Sequence, residues 1–368
     1  MKKFICVLLC LVFLSGCGYS SAASESFECM DTFMKIDIYG SADDAADIRA
    51  EIERLNGLFS AQDESSDIGR LNKNGTADLS DETADLLSQS LELCGETGGA
   101  LDISVYPIVE AWGFIDRNYR VPGESELNTL LQSTGYNKIE LSGKTAKTDS
   151  GMKLDLGAVA KGYAADKAVE IMNENGVTSG ILNLGGTVAA VGEKPNGEKW
   201  RVGICDPENT AAYFGSVSVS DRIVATSGSY ERYFESGGKR YCHIIDPKTG
   251  CPTDNGTVSV TVISESGTRS DALSTALFVM GIDGAKKYWR SHRDFEFILL
   301  DDKNNLWLTD GAEASFKMNK DYDYNLKVIT ASDGRKPCFI VDIQTKCVIG
   351  SCFSGRRKRL PCKSSVAA

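Results

Sequence analysis

The chain has 368 residues, of which 42% are hydrophobic and 25% charged, so it can form one large folded domain or two smaller ones. The formal net charge is −11, but residues 333–368 hold eight Lys or Arg and only two Asp, so the preceding part carries −17. An acidic body of this kind argues against a protein that binds nucleic acid through its phosphate backbone.

The N-terminus carries a targeting signal. Two lysines precede an apolar run of about ten residues, which predicts a signal peptide over residues 1–16 and is too short for an ordinary membrane span. The run ends in LSGC, residues 14–17, which resembles a bacterial lipobox and implies a lipidated Cys17. An ordinary secretory signal with a chance cysteine is the alternative. The anchor would hold the protein at the outer face of the bacterial cytoplasmic membrane, with residues 17–26 as a flexible tether.

Hydrophobic periodicity predicts the elements of the first half of the chain. The pattern predicts a strand at residues 33–40 and two amphipathic helices at 43–60 and 79–99. An extended piece that leads into a short helix near Pro107 follows at 101–114, and a strand, a glycine turn and a long helix follow at 153–177. The second helix is expected to be capped by Asp81 and stopped by two glycines.

The second half is predicted to consist mainly of strands. They lie at residues 179–192, 200–207, 213–221, 222–228, 230–246, 256–264 and 295–311, where 230–246 and 295–311 are hairpins. A helix over 270–281 is expected to be capped by Ser270 and ended by Gly281. Strands and helices do not alternate as βαβ units, so the pattern indicates an α+β fold, a single mixed domain over residues 27–330.

The cysteines do not indicate a disulfide framework. Once the signal peptide and Cys17 are set aside, nine remain, an odd number with no CxxC among them. Cys242 and Cys251 flank a turn and could pair across it, and the alternative is that both are free thiols.

Two segments contain residue types suited to phosphate chemistry. Asp271 and Thr275 in SDALST share one helix face, and their hard oxygen atoms suit Mg²⁺, although the hexapeptide by itself favours a polar start of an amphipathic helix. In LDLGAVAKGYAAD, Gly157 permits a tight turn and Lys161 lies at a helix start that favours phosphate. The spacing is neither a Walker A motif nor a Rossmann fingerprint.

Three further segments are ambiguous by themselves. NLGGT, residues 183–187, predicts either a β-bulge or an opening for a flat ligand, and the bulge is favoured. ATSGSYERYF, residues 225–234, is typical of an ordinary turn. His243 in RYCHIIDPKTG is one of two histidines in the chain, and the local sequence favours a structural role for it.

The order of these segments along the chain resembles the FAD:protein FMN transferases, the ApbE family, over roughly residues 27–315. The matching blocks are MDT, LDISVYPIVEAWGF, LDLGAVAKGYAADKA, ILNLGGTVAAVG, WRVGI followed by DP, ATSGSYERYF, KRYCHIIDPKTGCP and SDALSTALFVMG. The resemblance implies a T-fold-related α+β domain with a central FAD cleft. It also implies Mg²⁺-dependent transfer of FMN from FAD to a Thr or Ser hydroxyl of an exported flavoprotein subunit of a membrane redox complex. Alternatives are an FAD pyrophosphatase that releases FMN and AMP, and a flavin-binding lipoprotein without catalysis.

The resemblance also implies roles for individual residues. Asp271, Thr275 and the backbone carbonyl of Ala158 would hold Mg²⁺. His243 would be the general base that takes the proton of the acceptor hydroxyl. The residues expected to contact FAD are Met30, Gln62, Ala100, Leu101, Asp102, Asp155, Lys161, Ile245 and Ser274.

The sequence departs from the family pattern at two positions and in its tail. Asp31 stands where many members have glycine, and Gln62 stands where many have an aromatic ring, which removes a stacking contact worth about 1 kcal/mol. The basic, Cys-rich segment 331–368 lies outside the resemblance, and its four cysteines lack the spacing of a zinc site. A membrane-contacting patch and a segment without a conserved role are both open for it, and no function is assigned.

Overall fold

The computed structural model of the protein describes residues 22–331 and two short strands after them. The predicted signal peptide, Cys17 and nearly all of the segment 331–368 lie outside the described residues. Within the described part, no helix is both long enough and apolar enough to cross a bilayer.

The described residues form eight α-helices, one short 3₁₀ helix at Tyr136–Lys138 and twenty-one strands. The helices are α1 Ala42–Phe59, α2 Asp67–Asn74, α3 Asp81–Glu96, α4 Tyr106–Ala111, α5 Glu124–Gln132, α6 Ala160–Glu174, α7 Gly267–Ser291 and α8 Asp310–Ser315. The strands are β1 Ala22–Cys29, β2 Thr32–Tyr39, β3 Thr76–Asp78, β4 Glu140–Ser142, β5 Thr145–Lys147, β6 Gly180–Leu184, β7 Thr187–Val191, β8 Trp200–Cys205, β9 Tyr213–Val219, β10 Arg222–Gly228, β11 Tyr233–Ser236, β12 Lys239–Cys242, β13 Ile245–Asp246, β14 Cys251–Pro252, β15 Thr257–Ser264, β16 Phe295–Asp301, β17 Asn305–Thr309, β18 Phe316–Met318, β19 Asn325–Ile329, β20 Phe339–Val341 and β21 Val348–Ser351.

A nine-stranded sheet organises the fold in the order β1-β2-β6-β7-β10-β15-β16-β17-β19. Its pairings are antiparallel except for the parallel pair β17–β19. Helices α1, α6 and α7 lie against one face, and the small sheet β18-β9-β8 lies against the other. The α+β class predicted from the sequence is therefore confirmed.

Alternation of side chains along the strands gives the central sheet a core on both faces. In β10, Ile223 joins the apolar cluster under α1 and α6, while the next residue, Val224, joins the cluster under the small sheet. In β15, Val262 packs under α7 and Ile263 packs on the opposite side. Successive side chains of a strand point to opposite faces of the sheet. Because both faces of this sheet are covered in a three-layer fold, both sets of side chains are apolar and the strands do not alternate between apolar and polar residues.

Four local predictions differ from the structure. Residues 22–26, expected to belong to the tether, are part of β1. Helix α3 is capped by Ser80, whose side chain accepts a hydrogen bond from the amide of Thr83, and not by Asp81. The double glycine of NLGGT forms the β6–β7 hairpin turn and not a bulge. The predicted strand before Gly157 amounts to a single bridge between Val105 and Lys153.

Helix α7 begins earlier than predicted, with Ser266 and not Ser270 as its cap. The reason is a contact with α6, because the Asp166 carboxylate accepts the backbone amides of Gly267 and Thr268. A carboxylate that receives the free amides at a helix start stabilises that start. Gly281 breaks the helix as predicted, since its φ of 66° is left-handed, but a further helical segment continues to Ser291.

Helices α6 and α7 pack closely where two glycines face each other. A Cβ on Gly162 would lie 2.1 Å from the carbonyl oxygen of Gly267 and 2.8 Å from the Cβ of Asp271. A Cβ on Gly267 would lie 2.2 Å from the carbonyl oxygen of Gly162. No larger residue fits at either position without moving one helix away from the other.

Replacing Gly162 with Ala is therefore expected to lower the free energy of unfolding by about 1–3 kcal/mol, the usual cost of overpacking a core. Urea denaturation of the two proteins measures the difference. The matched control is Gly57→Ala in α1, where a Cβ meets nothing within 4 Å and the change should raise helix stability by about 0.5–1 kcal/mol. Equal stabilities of the Gly162 and Gly57 variants would contradict the close packing.

Candidate active site

A cavity of about 790 Å³ opens at one end of the central sheet. Its walls come from the β1–β2 turn, the loops after α1 and α4, the start of α6, the β6–β7 turn, strand β8 with the loop after it, and β10 with its connection to β11. The lining residues include Met30, Asp31, Gln62, Phe114, Arg117, Tyr119, Lys161, Gly185, Gly186, Thr226, Glu231 and Arg232. The volume lies in the range of cavities that bind cofactor-sized ligands.

The β1–β2 and β6–β7 turns abut and form one wall of the cavity. Met30 and Asp31 have φ of 50° and 57°, the left-handed conformation of a two-residue hairpin turn. Asp is among the few non-glycine residues that accept it, which explains how Asp31 replaces the glycine of the family pattern. A Cβ on Gly185 would lie 2.2 Å from the side chain of Thr32, so glycine is needed where the turns meet.

A buried carboxylate, Asp271, lies beneath the cavity. It is 5% exposed, and its Oδ2 accepts the amide of Gly162 at 3.0 Å. Its Oδ1 accepts the hydroxyl of Thr187 at 3.3 Å, and Lys161 Nζ lies 3.6 Å from Oδ2. Burial raises the pKa of Asp271, while the Lys161 ammonium lowers it. Lys161 lines the cavity, so it joins the carboxylate to the ligand space.

The backbone carbonyl of Ala158 lies just before α6, whose N-cap is Val159. The first intrahelical bond runs from the amide of Tyr163 to the carbonyl of Val159. The amide of Gly162 is one of those at a helix start that have no intrahelical acceptor, and it donates to Asp271. No amide of α6 therefore donates to the Ala158 carbonyl, which remains available to a cation.

Thr275 presents a hydroxyl on the same helix face as Asp271. Its Oγ1 lies 3.2 Å from Ser227 Oγ of β10, which in turn lies 2.7 Å from Ser274 Oγ. A carboxylate, a hydroxyl and a backbone carbonyl are the hard oxygen atoms that Mg²⁺ prefers, with water or phosphate completing the shell. The donor set fits the predicted Mg²⁺ site. Among residues 22–331 there is no group of three His, Cys, Asp or Glu that could hold a metal ion, so the set is a mixed one.

His243 is held by a neighbouring strand end. Both its amide and its ring Nδ1 contact the carbonyl of Arg232, at 3.0 and 3.2 Å. A carbonyl only accepts, so Nδ1 carries the hydrogen and Nε2 keeps a free lone pair. Burial, together with the positive charges of Arg232 and Lys161, lowers the pKa of His243 to about 4. The ring is therefore neutral at pH 7, which is the form a general base needs.

The structure places the other predicted FAD contacts in three groups. Met30, Gln62 and Lys161 line the cavity. Asp155 is close enough to two residues of the cavity wall, Arg232 and Lys161, for their positive charges to lower its pKa, whereas burial raises the pKa. Ala100 lines a second cavity of about 500 Å³. The buried residues are Leu101, Asp102, Ile245 and Ser274.

The four buried residues pack inside the protein and do not line the larger cavity. The Asp102 carboxylate accepts the amides of Ser104 and Tyr136. Ile245 packs with Ile108 and Trp112. Their contacts with FAD remain predictions. Cys242 and Cys251 are free thiols, so the pairing considered from the sequence does not occur.

Two charged residues of the cavity were missed because they lie in a segment that was interpreted as a turn. Glu231 and Arg232 follow β10 in ATSGSYERYF, and both line the cavity. Desolvation by the surrounding protein raises the pKa of Glu231 to about 7, although the positive charges of Lys161 and Arg232 oppose this rise. A run of polar residues directly after a buried strand was the signal available in the sequence.

The fold and the site define an α+β protein in which one residue of the cavity wall, Lys161, contacts a buried carboxylate and another, Arg232, holds a neutral histidine, a combination suited to a phosphate-containing ligand. A family model described as the ApbE family matches residues 30–299. The chain belongs to the ApbE family.

Individual relatives support the same assignment. An FAD:protein FMN transferase of Vibrio cholerae is 33% identical over 296 residues, which cover 76% of this chain and 88% of the relative. One from Escherichia coli K12 is 29% identical over 311 residues, with coverage of 78% and 89%. The crystal structure of the ApbE protein of Thermotoga maritima matches with a TM-score of 0.76 at 30% identity, covering 80% of this chain and 99% of that one. The flavin transferase ApbE of Vibrio cholerae matches with a TM-score of 0.71 at 27% identity, covering 80% and 100%.

Proposed function

We propose that this protein is an FAD:protein FMN transferase that uses Mg²⁺ to transfer FMN from FAD to a Ser or Thr hydroxyl of an acceptor protein, with release of AMP. Family membership supports the reaction class. The observation that carries the proposal is the juxtaposition of Lys161 with Asp271, 3.6 Å apart at the base of the cavity, near the neutral His243.

Asp271, Thr275 and the Ala158 carbonyl would hold the Mg²⁺. When bound, the ion would neutralise charge that develops on the pyrophosphate oxygens. Lys161 supplies a positive charge at the start of α6, where the positive end of the helix dipole also favours phosphate. These groups orient the pyrophosphate and offset its negative charge.

His243 performs the proton transfer in this mechanism. As the acceptor hydroxyl oxygen forms a bond to the phosphorus of the FMN half, its proton passes to Nε2 of His243. The bond between that phosphorus and the bridging oxygen breaks, and the bridging oxygen leaves with AMP. Arg232 keeps the ring in the tautomer that leaves Nε2 free, because its carbonyl accepts the Nδ1 hydrogen.

The location of the reaction is part of the proposal. The signal sequence and lipobox support a lipid anchor at Cys17 on the outer face of the bacterial cytoplasmic membrane. An acceptor that meets the enzyme there would be an exported flavoprotein subunit of a membrane redox complex. Labelling with radioactive palmitate, compared between the wild type and Cys17→Ser, tests the anchor.

Incubation with FAD, Mg²⁺ and an acceptor subunit tests the reaction. Flavin that stays with the acceptor through denaturation, together with one AMP per flavin, is the expected result. Free FMN and AMP without labelled acceptor would indicate a pyrophosphatase instead, and unchanged FAD would indicate a binding protein. Turnover that is insensitive to EDTA would refute the Mg²⁺ assignment.

Binding of FAD should weaken as the pH rises through about 7, because Glu231, whose pKa is about 7, then adds a negative charge to a cavity that receives a pyrophosphate. Glu231→Gln should bind FAD with an affinity that changes little between pH 6 and 8.5. Flavin fluorescence titration at several pH values measures both dissociation constants.

The control for this prediction is Glu235→Gln, a β11 residue that pairs with Arg240 and does not line the cavity. It should retain the pH dependence of the wild type. If the Glu231→Gln protein showed the same decline in affinity above pH 7 as the wild type, Glu231 would not be the titrating group.

A further inference from the structure

A chain of three hydroxyl groups, those of Ser274, Ser227 and Thr275, joins β10 to α7. Ser274 Oγ lies 2.8 Å from the backbone carbonyl oxygen of Asp271. Ser227 Oγ lies 2.7 Å from Ser274 Oγ and 3.2 Å from Thr275 Oγ1. Ser227 belongs to the sheet, so the chain couples a strand to the helix that carries the two side-chain ligands of the Mg²⁺ site.

The direction of every hydrogen bond in this chain follows from the number of hydrogens. A carbonyl only accepts, so Ser274 donates its single hydroxyl hydrogen to Asp271. Ser274 must then accept the hydrogen of Ser227. Ser227 has no further hydrogen, so in the remaining contact it accepts from Thr275. The Thr275 hydrogen therefore points at Ser227, and the oxygen lone pairs of Thr275 point away from it.

We propose that Ser227 is a positioning residue, which fixes the Thr275 hydroxyl so that its oxygen lone pairs face a divalent cation. The inference rests on the proposed function, in which Asp271 and Thr275 are cation ligands. A hydroxyl without a hydrogen-bond acceptor can rotate and turn its hydrogen toward the cation. The partial positive charge of that hydrogen then repels the cation. A hydroxyl that donates elsewhere is held in the ligating orientation, and its oxygen is polarised toward greater negative charge.

Loss of the Ser227 hydroxyl should weaken cation binding by about 10-fold, because groups that orient metal ligands typically contribute 10- to 100-fold in affinity. The probe is Mn²⁺ alone, which favours the same oxygen ligands as Mg²⁺, and free Mn²⁺ is measured by electron paramagnetic resonance. Ser227→Ala should show the loss. Ser227→Thr keeps a hydroxyl and should regain most of the affinity. An Ala variant within twofold of the wild type would overturn the proposal.

A double-mutant cycle separates positioning from a general structural effect. Thr275→Val removes the ligand hydroxyl with little change of shape, so adding Ser227→Ala to it should weaken Mn²⁺ binding no further. Additive losses would overturn the proposal, because Ser227 would then act by another route. The control is Ser264→Ala, since Ser264 Oγ contacts Ser270 Oγ at 2.8 Å and likewise joins the sheet to α7. It should leave Mn²⁺ affinity unchanged.

The metal assignment itself is tested separately with Asp271→Asn. If that variant bound Mn²⁺ as tightly as the wild type, the assignment of the ligands would fail and the role of Ser227 would fail with it. If Asp271→Asn lost binding while Ser227→Ala kept it, only the role of Ser227 would be refuted.

Discussion

Replacing His243 with Ala should lower the rate of FMN transfer by about 10²–10⁴-fold, the usual contribution of a general base, while FAD binding stays close to that of the wild type. The rate should fall because the variant lacks the imidazole whose Nδ1 is held by the Arg232 carbonyl and whose Nε2 is proposed to take the proton of the acceptor hydroxyl. Binding should persist because, in the proposed mechanism, Lys161 and the cation held by Asp271 contact the pyrophosphate and His243 does not. Single-turnover transfer to an acceptor and flavin fluorescence titration measure the two quantities.

The pH profile of the wild type should carry the signature of this histidine. With a pKa of about 4 in the free enzyme, His243 is neutral through most of the accessible range, so kcat/KM should be level above about pH 5 and fall below it. The two negative charges of bound pyrophosphate favour the protonated ring. The corresponding fall in kcat should therefore occur at a higher pH than the fall in kcat/KM. The Ala variant should lack both.

The second histidine provides the control. Nδ1 of His292 also contacts a backbone carbonyl, that of Tyr288 at 3.0 Å, and its ring stacks on Tyr288 at 4.1 Å. Tyr288, unlike Arg232, does not line the larger cavity, so His292→Ala should transfer FMN at the rate of the wild type. A His243→Ala enzyme that transferred at the full rate would show that the proton is taken by another group.

The sequence predicted elements well where a short-range pattern suffices. Strand alternation and helical spacing are local, so β2, α1 and β15 were predicted within a few residues. The spacing of four between Asp271 and Thr275 likewise shows directly that both lie on one helix face. Helix starts were predicted less well, because the start of α7 depends on Asp166, a residue about a hundred positions away.

The remainder of the site depends on contacts between distant segments. Nothing local to Gly162 indicates that its amide donates to Asp271, since this requires the close approach of α7 at the facing Gly267. Ser227 and Thr187 belong to different strands, and they reach α7 only because those strands are neighbours in the sheet. Sheet order is a tertiary property, so these partners could not be predicted from spacing along the chain.

Replacing Asp271 with Asn should abolish Mg²⁺ binding and lower transfer by about 10³-fold or more, since a cation at a phosphoryl centre contributes several kcal/mol to the transition state. The amide has nearly the shape of the carboxylate. It can still accept from Gly162 through its oxygen and can donate to Thr187 through its nitrogen, so the local packing should persist. What the variant loses is the negative charge.

The same substitution should not destabilise the protein without metal, and this outcome distinguishes a ligand from a structural residue. Burial raises the pKa of Asp271, which means that the folded protein bears a cost for its charge there. Because the amide carries no charge, the melting temperature of Asp271→Asn in EDTA should equal or exceed that of the wild type. Added Mg²⁺ should raise the melting temperature of the wild type only, since a ligand stabilises the state to which it binds. An Asn variant that melted well below the wild type in EDTA would mean that the carboxylate holds α6 and α7 together, and its loss of activity would then say nothing about a metal.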